Sequence, residues 1–182
     1  MPYFSLSLSV PPEDGPITLE EALTQCHAEA GVEDDWFMAR IRAGVELVEN
    51  FVKQSLMPQT RVLRVEGFMP EVIEIRRSPL IKLLDMRYQT SPRHEWYGIE
   101  LDKVVTIKEG LPSRVLVPNE YIGKNGILRI EYQAGYADTK LIPSELKDAI
   151  LLYVSHNYEN RSGERELPEA FYNLIERHRI YL

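Results

Sequence analysis

The side chains able to do chemistry are few in this 182-residue chain, and they are scattered. There are four histidines (His27, His94, His156 and His178) and one cysteine, Cys26. The histidines fall in four different predicted elements. His156 and Glu159 stand one turn apart on a predicted helix, a spacing that can supply two metal ligands. No second histidine lies four residues away, and a lone cysteine excludes a Cys-x-x-Cys pair. A surface or capping histidine is therefore the reading adopted. Ser155 and His156 adjoin in sequence, but neighbours on a helix point in different directions. A serine nucleophile also needs a base within hydrogen-bond reach and a sharp elbow, and no Gly-x-Ser-x-Gly is present. Gly123-Lys124-Asn125-Gly126 superficially matches a phosphate loop. It lacks the upstream glycine and the Ser/Thr after the lysine, and it reads as a hairpin turn. Cys26 cannot form an internal disulfide, which fits a reducing cytoplasm. It reads as a small buried apolar residue on a helix, rather than as a nucleophile.

Two broader constellations remain. Asp102 with Glu131 and Gln133 would place oxygen ligands on neighbouring strands, where a nuclease binds Mg²⁺. The lysine expected two residues after Glu131 is missing, and Gln133 occupies its place. Residues 61–93 are locally basic, with Arg61, Arg64, Arg76, Arg77, Lys82, Arg87 and Arg93 against Glu66, Glu71, Glu74 and Asp85. Phosphate neutralisation drives nucleic-acid binding. Here the interleaved acids spoil the field, and no reading motif accompanies it. Cross-strand salt bridges explain the pattern more simply. No catalytic, metal-binding or cofactor-binding set emerges, and the chain reads as a non-enzyme.

The elements that would carry these residues follow from periodicity and punctuation. Residues 1–17 contain Pro2, Pro11, Pro12 and Pro16 and read as an extended arm. Thr18 followed by Glu21 is a capping box. It opens a helix with Leu19, Ala22, Leu23 and Cys26 on its apolar stripe, with Gly31 marking its end. Asp34 or Asp35 caps a longer helix to about Leu56, with Phe37, Ile41, Val45, Val48, Val52 and Leu56 spaced by threes and fours. Gly44 within it allows close approach of a neighbour. Pro58 ends it.

The period then shortens. Residues 60–65, 71–75, 80–88, 99–107, 114–117 and 127–132 read as five or six short strands. Helices return at Pro143, with Ser144 as cap and Leu146, Ala149, Ile150, Tyr153 and Val154 as stripe. Ser162-Gly163 reads as a break, and Pro168 as the first turn of a last helix carrying Phe171, Leu174 and Ile175. The order is an α+β fold: a four-helix unit from 18–57 and 143–180, interrupted by a β-rich insert at 59–134. One domain is the expected count.

Composition narrows the class further. With 44% hydrophobic and 27% charged residues, the chain is ordinary for a globular protein. No apolar run approaches the roughly 20 residues that cross a bilayer. The first ten residues have no basic region or continuous apolar core and do not read as a signal peptide. The net charge of −7 resides wholly in residues 1–60, which hold ten acids and three bases; the rest is neutral. Such a segment repels nucleic acid and can meet a basic partner. Solvated helix faces are the simpler reading.

Three stretches carry a resemblance. The first is Ser78-Pro79-Leu80-Ile81-Lys82-Leu83-Leu84-Asp85-Met86-Arg87-Tyr88. The second is Tyr132-Gln133-Ala134-Gly135-Tyr136 with Ile142-Pro143-Ser144-Glu145-Leu146-Lys147 and, later, Tyr158-Glu159-Asn160-Arg161. The third is Pro168-Glu169-Ala170-Phe171-Tyr172-Asn173-Leu174-Ile175. Together with the Thr18-Leu19-Glu20-Glu21-Ala22 start, the chain over roughly 18–180 resembles the head–tail connector (adaptor) proteins of long-tailed phages and prophages, also labelled DNA-packaging proteins. The resemblance implies a virion structural protein without an active site or cofactor, assembled in the host bacterial cytoplasm. It implies a closed ring of about a dozen copies, docked under the portal protein and joined to a stopper or tail-completion protein. It implies that DNA passes through the ring without specific binding, and that no membrane is involved. The acidic helix starts acquire a use on this reading. Glu20, Glu21, Asp34 and Asp35 would face the channel, where like charge keeps DNA from sticking. The alternatives are a small metal-dependent nuclease or other phage DNA enzyme, and a monomeric binding or regulatory protein.

Overall fold

Strand and helix signals separate cleanly along the chain, and the computed structural model, which describes residues 2–161 and 166–181, follows them into two units. One unit is built from residues 2–12 and 58–137, the other from 13–57 and 138–181. The fold is α+β, with four α-helices and eight strands among the described residues.

In the helical unit, α1 (Leu19–Cys26), α2 (Asp34–Val52), α3 (Ser144–Glu159) and α4 (Glu169–Ile175) pack together, with α3 touching the other three. The capping box forms. The Glu21 N–H donates to Thr18 Oγ1 (3.2 Å), and the Thr18 N–H donates to Glu21 Oε2 (2.7 Å). The helix ends earlier than Gly31 implies, because His27 takes the left-handed cap itself (φ 51°). Likewise α2 stops at Val52, with Lys53 left-handed at φ 60°. Leu56 is buried all the same, and its N–H donates to Glu49 Oε1 (2.7 Å) in the last turn of α2. Neither Asp34 nor Asp35 is the N-cap. Glu33 holds that position without a side-chain capping bond to the helix, and Asp34 Oδ1 instead accepts from the Gly31 N–H (2.8 Å). Ser144 is also inside its helix, with Pro143 before it. Pro168 is the residue before α4, whose Phe171 and Ile175 are buried. The Ser162-Gly163 break lies outside the described residues. Gly44 does what its position in α2 suggests. A Cβ there would lie 2.9 Å from the Tyr153 ring and 3.3 Å from Ile150 of α3.

The β unit has seven strands between 59 and 134, one or two more than expected. They are β2 (Gln59–Phe68), β3 (Val72–Glu74), β4 (Leu80–Gln89), β5 (Tyr97–Gly98), β6 (Thr106–Ile107), β7 (Arg114–Leu116) and β8 (Asn125–Ala134). The stretch 99–107 is not one strand. It divides into a 3₁₀ turn at Leu101–Lys103 and the short β6. An eighth strand, β1 (Tyr3–Val10), comes from the proline-bounded arm and pairs with β2 from Tyr3↔Glu66 to Val10↔Thr60. The five-stranded antiparallel sheet runs β1-β2-β8-β4-β5, and a three-stranded sheet runs β3-β7-β6. One apolar core joins them: Leu63 and Val65 from β2, Met86 from β4, Leu128 and Ile130 from β8, Ile73 and Val115 from the smaller sheet. Strict alternation on β2 gives this outcome, since odd-numbered residues 59–65 are buried and even ones half-exposed. The turn at Gly123-Lys124 is real, with Gly123 at φ 71°. It is not a hairpin, because β7 and β8 belong to different sheets. Its backbone exchanges bonds with Met69 instead.

Candidate functional site

The sequence-predicted channel acids sit where helix electrostatics wants them. Glu20 and Glu21 occupy the first turn of α1, and Asp34 and Asp35 the first turn of α2. Carboxylates there offset the partial positive charge of the helix start. Glu21 and Asp34 are further engaged by Thr18 and Gly31. Glu20 and Asp35 are exposed.

Beside them in the same unit is a contact that sequence motifs only half reveal. Arg161, last residue of the Tyr-Glu-Asn-Arg motif, donates from both terminal nitrogens to the two Glu33 carboxylate oxygens, each at 2.6 Å. Its guanidinium also lies 4.9 Å from the Trp36 ring centre and 4.5 Å from that of Tyr158. Trp36, Phe37 and Tyr158 contact one another. The bidentate bond from Arg161 holds the Glu33 carboxyl below the usual carboxylate range. The motif is thus a clasp between the N-terminus of α2 and the C-terminus of α3.

The scattered nucleophile and ligand candidates stay scattered. Burial pushes the Cys26 thiol up, with Glu159 adding to the effect, the reverse of nucleophile activation. Ser155 Oγ donates to the Leu152 carbonyl (3.2 Å), not to His156. His156 Nδ1 lies 3.4 Å from the Asn160 amide, and His94 Nδ1 2.6 Å from Thr90 Oγ1. His178 Nε2 stands 3.7 Å from Glu145, too far for a hydrogen bond. Among the described residues, no group of three or more His, Cys, Asp or Glu side chains forms a metal cluster.

Glu131 and Gln133 share one face of β8, whereas Asp102 lies in the 3₁₀ turn. Glu131 is held at 2.8 Å by Arg129, which also reaches Asp85 at 3.1 Å; Arg87 meets Asp85 at 2.8 Å. Arg64 and Glu66 pair at 2.6 Å. Most of these pairs are not cross-strand, as expected from sequence, but i,i+2 along one strand. Alternate residues share a face, and an arginine side chain spans that spacing. Arg129–Asp85 and the longer Arg114–Glu74 contact (3.9 Å) do cross strands. Two bases of the stretch, Arg64 and Arg87, are thereby ion-paired on the outer face of the larger sheet.

The inner side of the β unit holds polar groups whose role is structural. Ser78 is fully buried. Its hydroxyl donates to the Ile75 carbonyl (2.8 Å) and accepts from the Ser113 N–H (2.9 Å); Ser113 Oγ in turn accepts from the Leu80 N–H (3.1 Å). Gly135, at φ 124°, donates its N–H to the Pro79 carbonyl (2.9 Å). Tyr132 is buried and its hydroxyl donates to the Arg76 carbonyl. Burial pushes that phenol well above its ordinary range, while the charges of Arg61, Arg77 and Arg76 moderate the effect. The Ser-Pro-Leu and Tyr-Gln-Ala-Gly motifs therefore lock strand ends together.

The sequence reading missed β1 as a strand. Its signal was present: Ser5-Leu6-Ser7-Leu8-Ser9-Val10 alternates at period two between Pro2 and Pro11. Phe4 and Leu6 pack on the core, while Ser7 to Val10 are all exposed.

No family model matches the chain, and no curated protein matches it. Solved structures do. The chain is similar to one in the neck of an empty GTA particle computed with C6 symmetry (17% identity, TM-score 0.79, 98% of this chain and 96% of that one). It is similar to a chain in the virion of a native gene transfer agent (GTA) particle (18%, 0.80, 97% and 96%). It is also similar to one in the neck of a native GTA particle computed with C12 symmetry (18%, 0.71, 98% and 96%). At these identities the likeness establishes a shared fold.

Proposed function

We propose that this chain is a structural subunit of the head–tail neck of a phage or prophage particle. It assembles as a ring that docks on the portal protein and joins the DNA-filled head to a stopper or tail-completion protein. The observation that carries this reading is a fold shared over nearly the whole chain with neck chains of particles computed with C6 and C12 symmetry. The scattered histidines and the unactivated Cys26 favour a scaffold over an enzyme. On this reading the subunit resides in the virion, after assembly in the host bacterial cytoplasm.

Glu20, Glu21, Asp34 and Asp35 then face the DNA path, where their charge keeps the duplex sliding. Reversing all four to lysine slows DNA passage; unaltered DNA retention and ejection by such particles removes that assignment. The primary test is native mass spectrometry with negative-stain microscopy across concentration, followed by co-assembly with the portal protein. Closed rings, alone or on the portal, are the expected result. A chain that stays monomeric in both settings overturns the proposal.

A further inference from the structure

The Gly123-Lys124-Asn125-Gly126 segment has no part in the function argued above, yet it carries a reactive pair. Of the six asparagines in the chain, Asn125 is the one followed by glycine. A glycine leaves its own amide nitrogen sterically open, so that nitrogen can attack the side-chain carbonyl of a preceding asparagine. Here the fold dictates the glycine. A Cβ at Gly126 would lie 2.6 Å from both the Gln89 carbonyl oxygen and the Tyr88 hydroxyl. Gly126 is buried, whereas Asn125 beside it is exposed to water.

We propose that Asn125 is a site of spontaneous modification, deamidation through a cyclic imide, which the sheet holds shut while the chain is folded. In the reaction the Gly126 nitrogen bonds to Asn125 Cγ and the Cγ–Nδ2 bond breaks. The amide group leaves as ammonia, taking the proton from the Gly126 nitrogen. Water then opens the ring at one of its two carbonyls. One opening gives aspartate. The other gives isoaspartate, in which the backbone runs through the side chain and is longer by one methylene.

Ring closure requires the Asn125 ψ to leave the extended range that a strand imposes. Asn125 opens β8 opposite Phe68 of β2, and Gly126 follows opposite Gly67. The Asn125 carbonyl oxygen accepts from the Tyr88 hydroxyl (2.9 Å), and the Lys124 carbonyl before it accepts from the Met69 N–H (2.9 Å). Rotation about ψ swings the Asn125 carbonyl, so the Tyr88 bond must break first. The site therefore reacts from local openings at this end of the sheet. The two products differ in consequence. Aspartate fits an exposed position. Isoaspartate displaces Gly126 from the place where it clears Gln89 and Tyr88, at the start of the strand that lies between β2 and β4.

The test incubates the full chain at mildly alkaline pH, folded and in urea, and follows intact mass with peptide mapping. Conversion of amide to acid raises the mass, which separates it from isomerisation at Asp14-Gly15, where mass is unaltered. The expected result is loss of the Asn125 amide in urea, many-fold faster than in the folded chain. Tyr88→Phe removes the hydroxyl and keeps the ring that stacks on Tyr121. It speeds the reaction several-fold in the folded chain and leaves the urea rate unchanged. On return from urea the isoaspartate form fails to regain the native circular dichroism spectrum, whereas Asn125→Asp folds as the parent does. Equal rates folded and unfolded, or an Asn125 amide that survives in urea, overturn the proposal, and both are read on the parent chain alone. A folded Tyr88→Phe chain that reacts at the parent's rate overturns the hold exerted by that hydroxyl.

Discussion

The helical unit and the β unit solve the same problem, satisfying polar backbone around an apolar core, by opposite routes. In the helical unit the solutions are mostly local. Thr18 and Glu21 close their own cap, Asp34 serves Gly31 three residues back, and acids line helix starts. In the β unit they are long-range: Ser78 reaches Ser113, Tyr132 reaches Arg76, and Arg129 reaches Asp85. The difference teaches where function can sit. A unit whose polar groups are locally satisfied can present a solvated acidic surface at little structural cost.

Each unit contains one tryptophan, Trp36 in the helical unit and Trp96 in the β unit. Trp36→Phe and Trp96→Phe backgrounds therefore report denaturation unit by unit. The largest effect is expected from Phe37→Ala, which empties a fully buried ring site and costs about 3–5 kcal/mol. In urea its signature is an earlier Trp36 transition with the Trp96 transition unmoved. If both move together, the units fold cooperatively and the contrast drawn above fails. Gly44→Val comes next. Its Cβ enters the space of Tyr153 and Ile150, and overpacking of this kind costs about 1–3 kcal/mol. It too is read from Trp36, and an unshifted midpoint would mean that α2 and α3 do not depend on close approach.

Ser78→Ala strikes the other unit. It leaves the buried Ser113 N–H without its acceptor, a loss of about 1–3 kcal/mol. The Trp96 transition shifts and the Trp36 transition does not. Glu33→Gln is the smallest change and the one with a pH signature. Arg161 lowers the Glu33 pKa in the folded chain, so the pair stabilises above the ordinary carboxylate range. That contribution is lost as pH falls through the lowered folded pKa. Both partners are substantially exposed, so the effect is modest and screened by salt. In thermal melts the parent's acid limb is steeper than the variant's, and equal slopes would remove the clasp as a source of stability.

Legibility followed the same divide. The capping box, the α2 stripe, Gly44 and the α4 start were readable because their partners lie within a turn or because 3.6-residue periodicity betrays the buried face. Helix ends were less readable. His27 and Lys53 adopt left-handed caps that Gly31 and Pro58 had concealed, since any residue can terminate a helix if its neighbours compensate. The Ser78-Pro79-Leu80 and Tyr158-Glu159-Asn160-Arg161 motifs were visible as patterns, but Ser113 and Glu33, their partners, lie far away in sequence. The placement of Glu20 and Glu21 on a helix start was legible from the capping box, whereas Asp34 and Asp35 fall in the first turn of α2 and not at its cap.

What the sequence by itself determined is the α+β order, the strand faces and the location of the acidity, because periodicity, punctuation and charge are properties of consecutive residues. Only tertiary structure decided that the proline-bounded arm becomes β1, that 99–107 breaks into pieces, and that arginines on the outer sheet face pair mainly along a strand. It also decided that β1 and β5 stand at the two ends of the larger sheet. Pairing between strands is settled by which surfaces meet across the chain, and a linear pattern with period two fits an arm, an edge or a centre equally well.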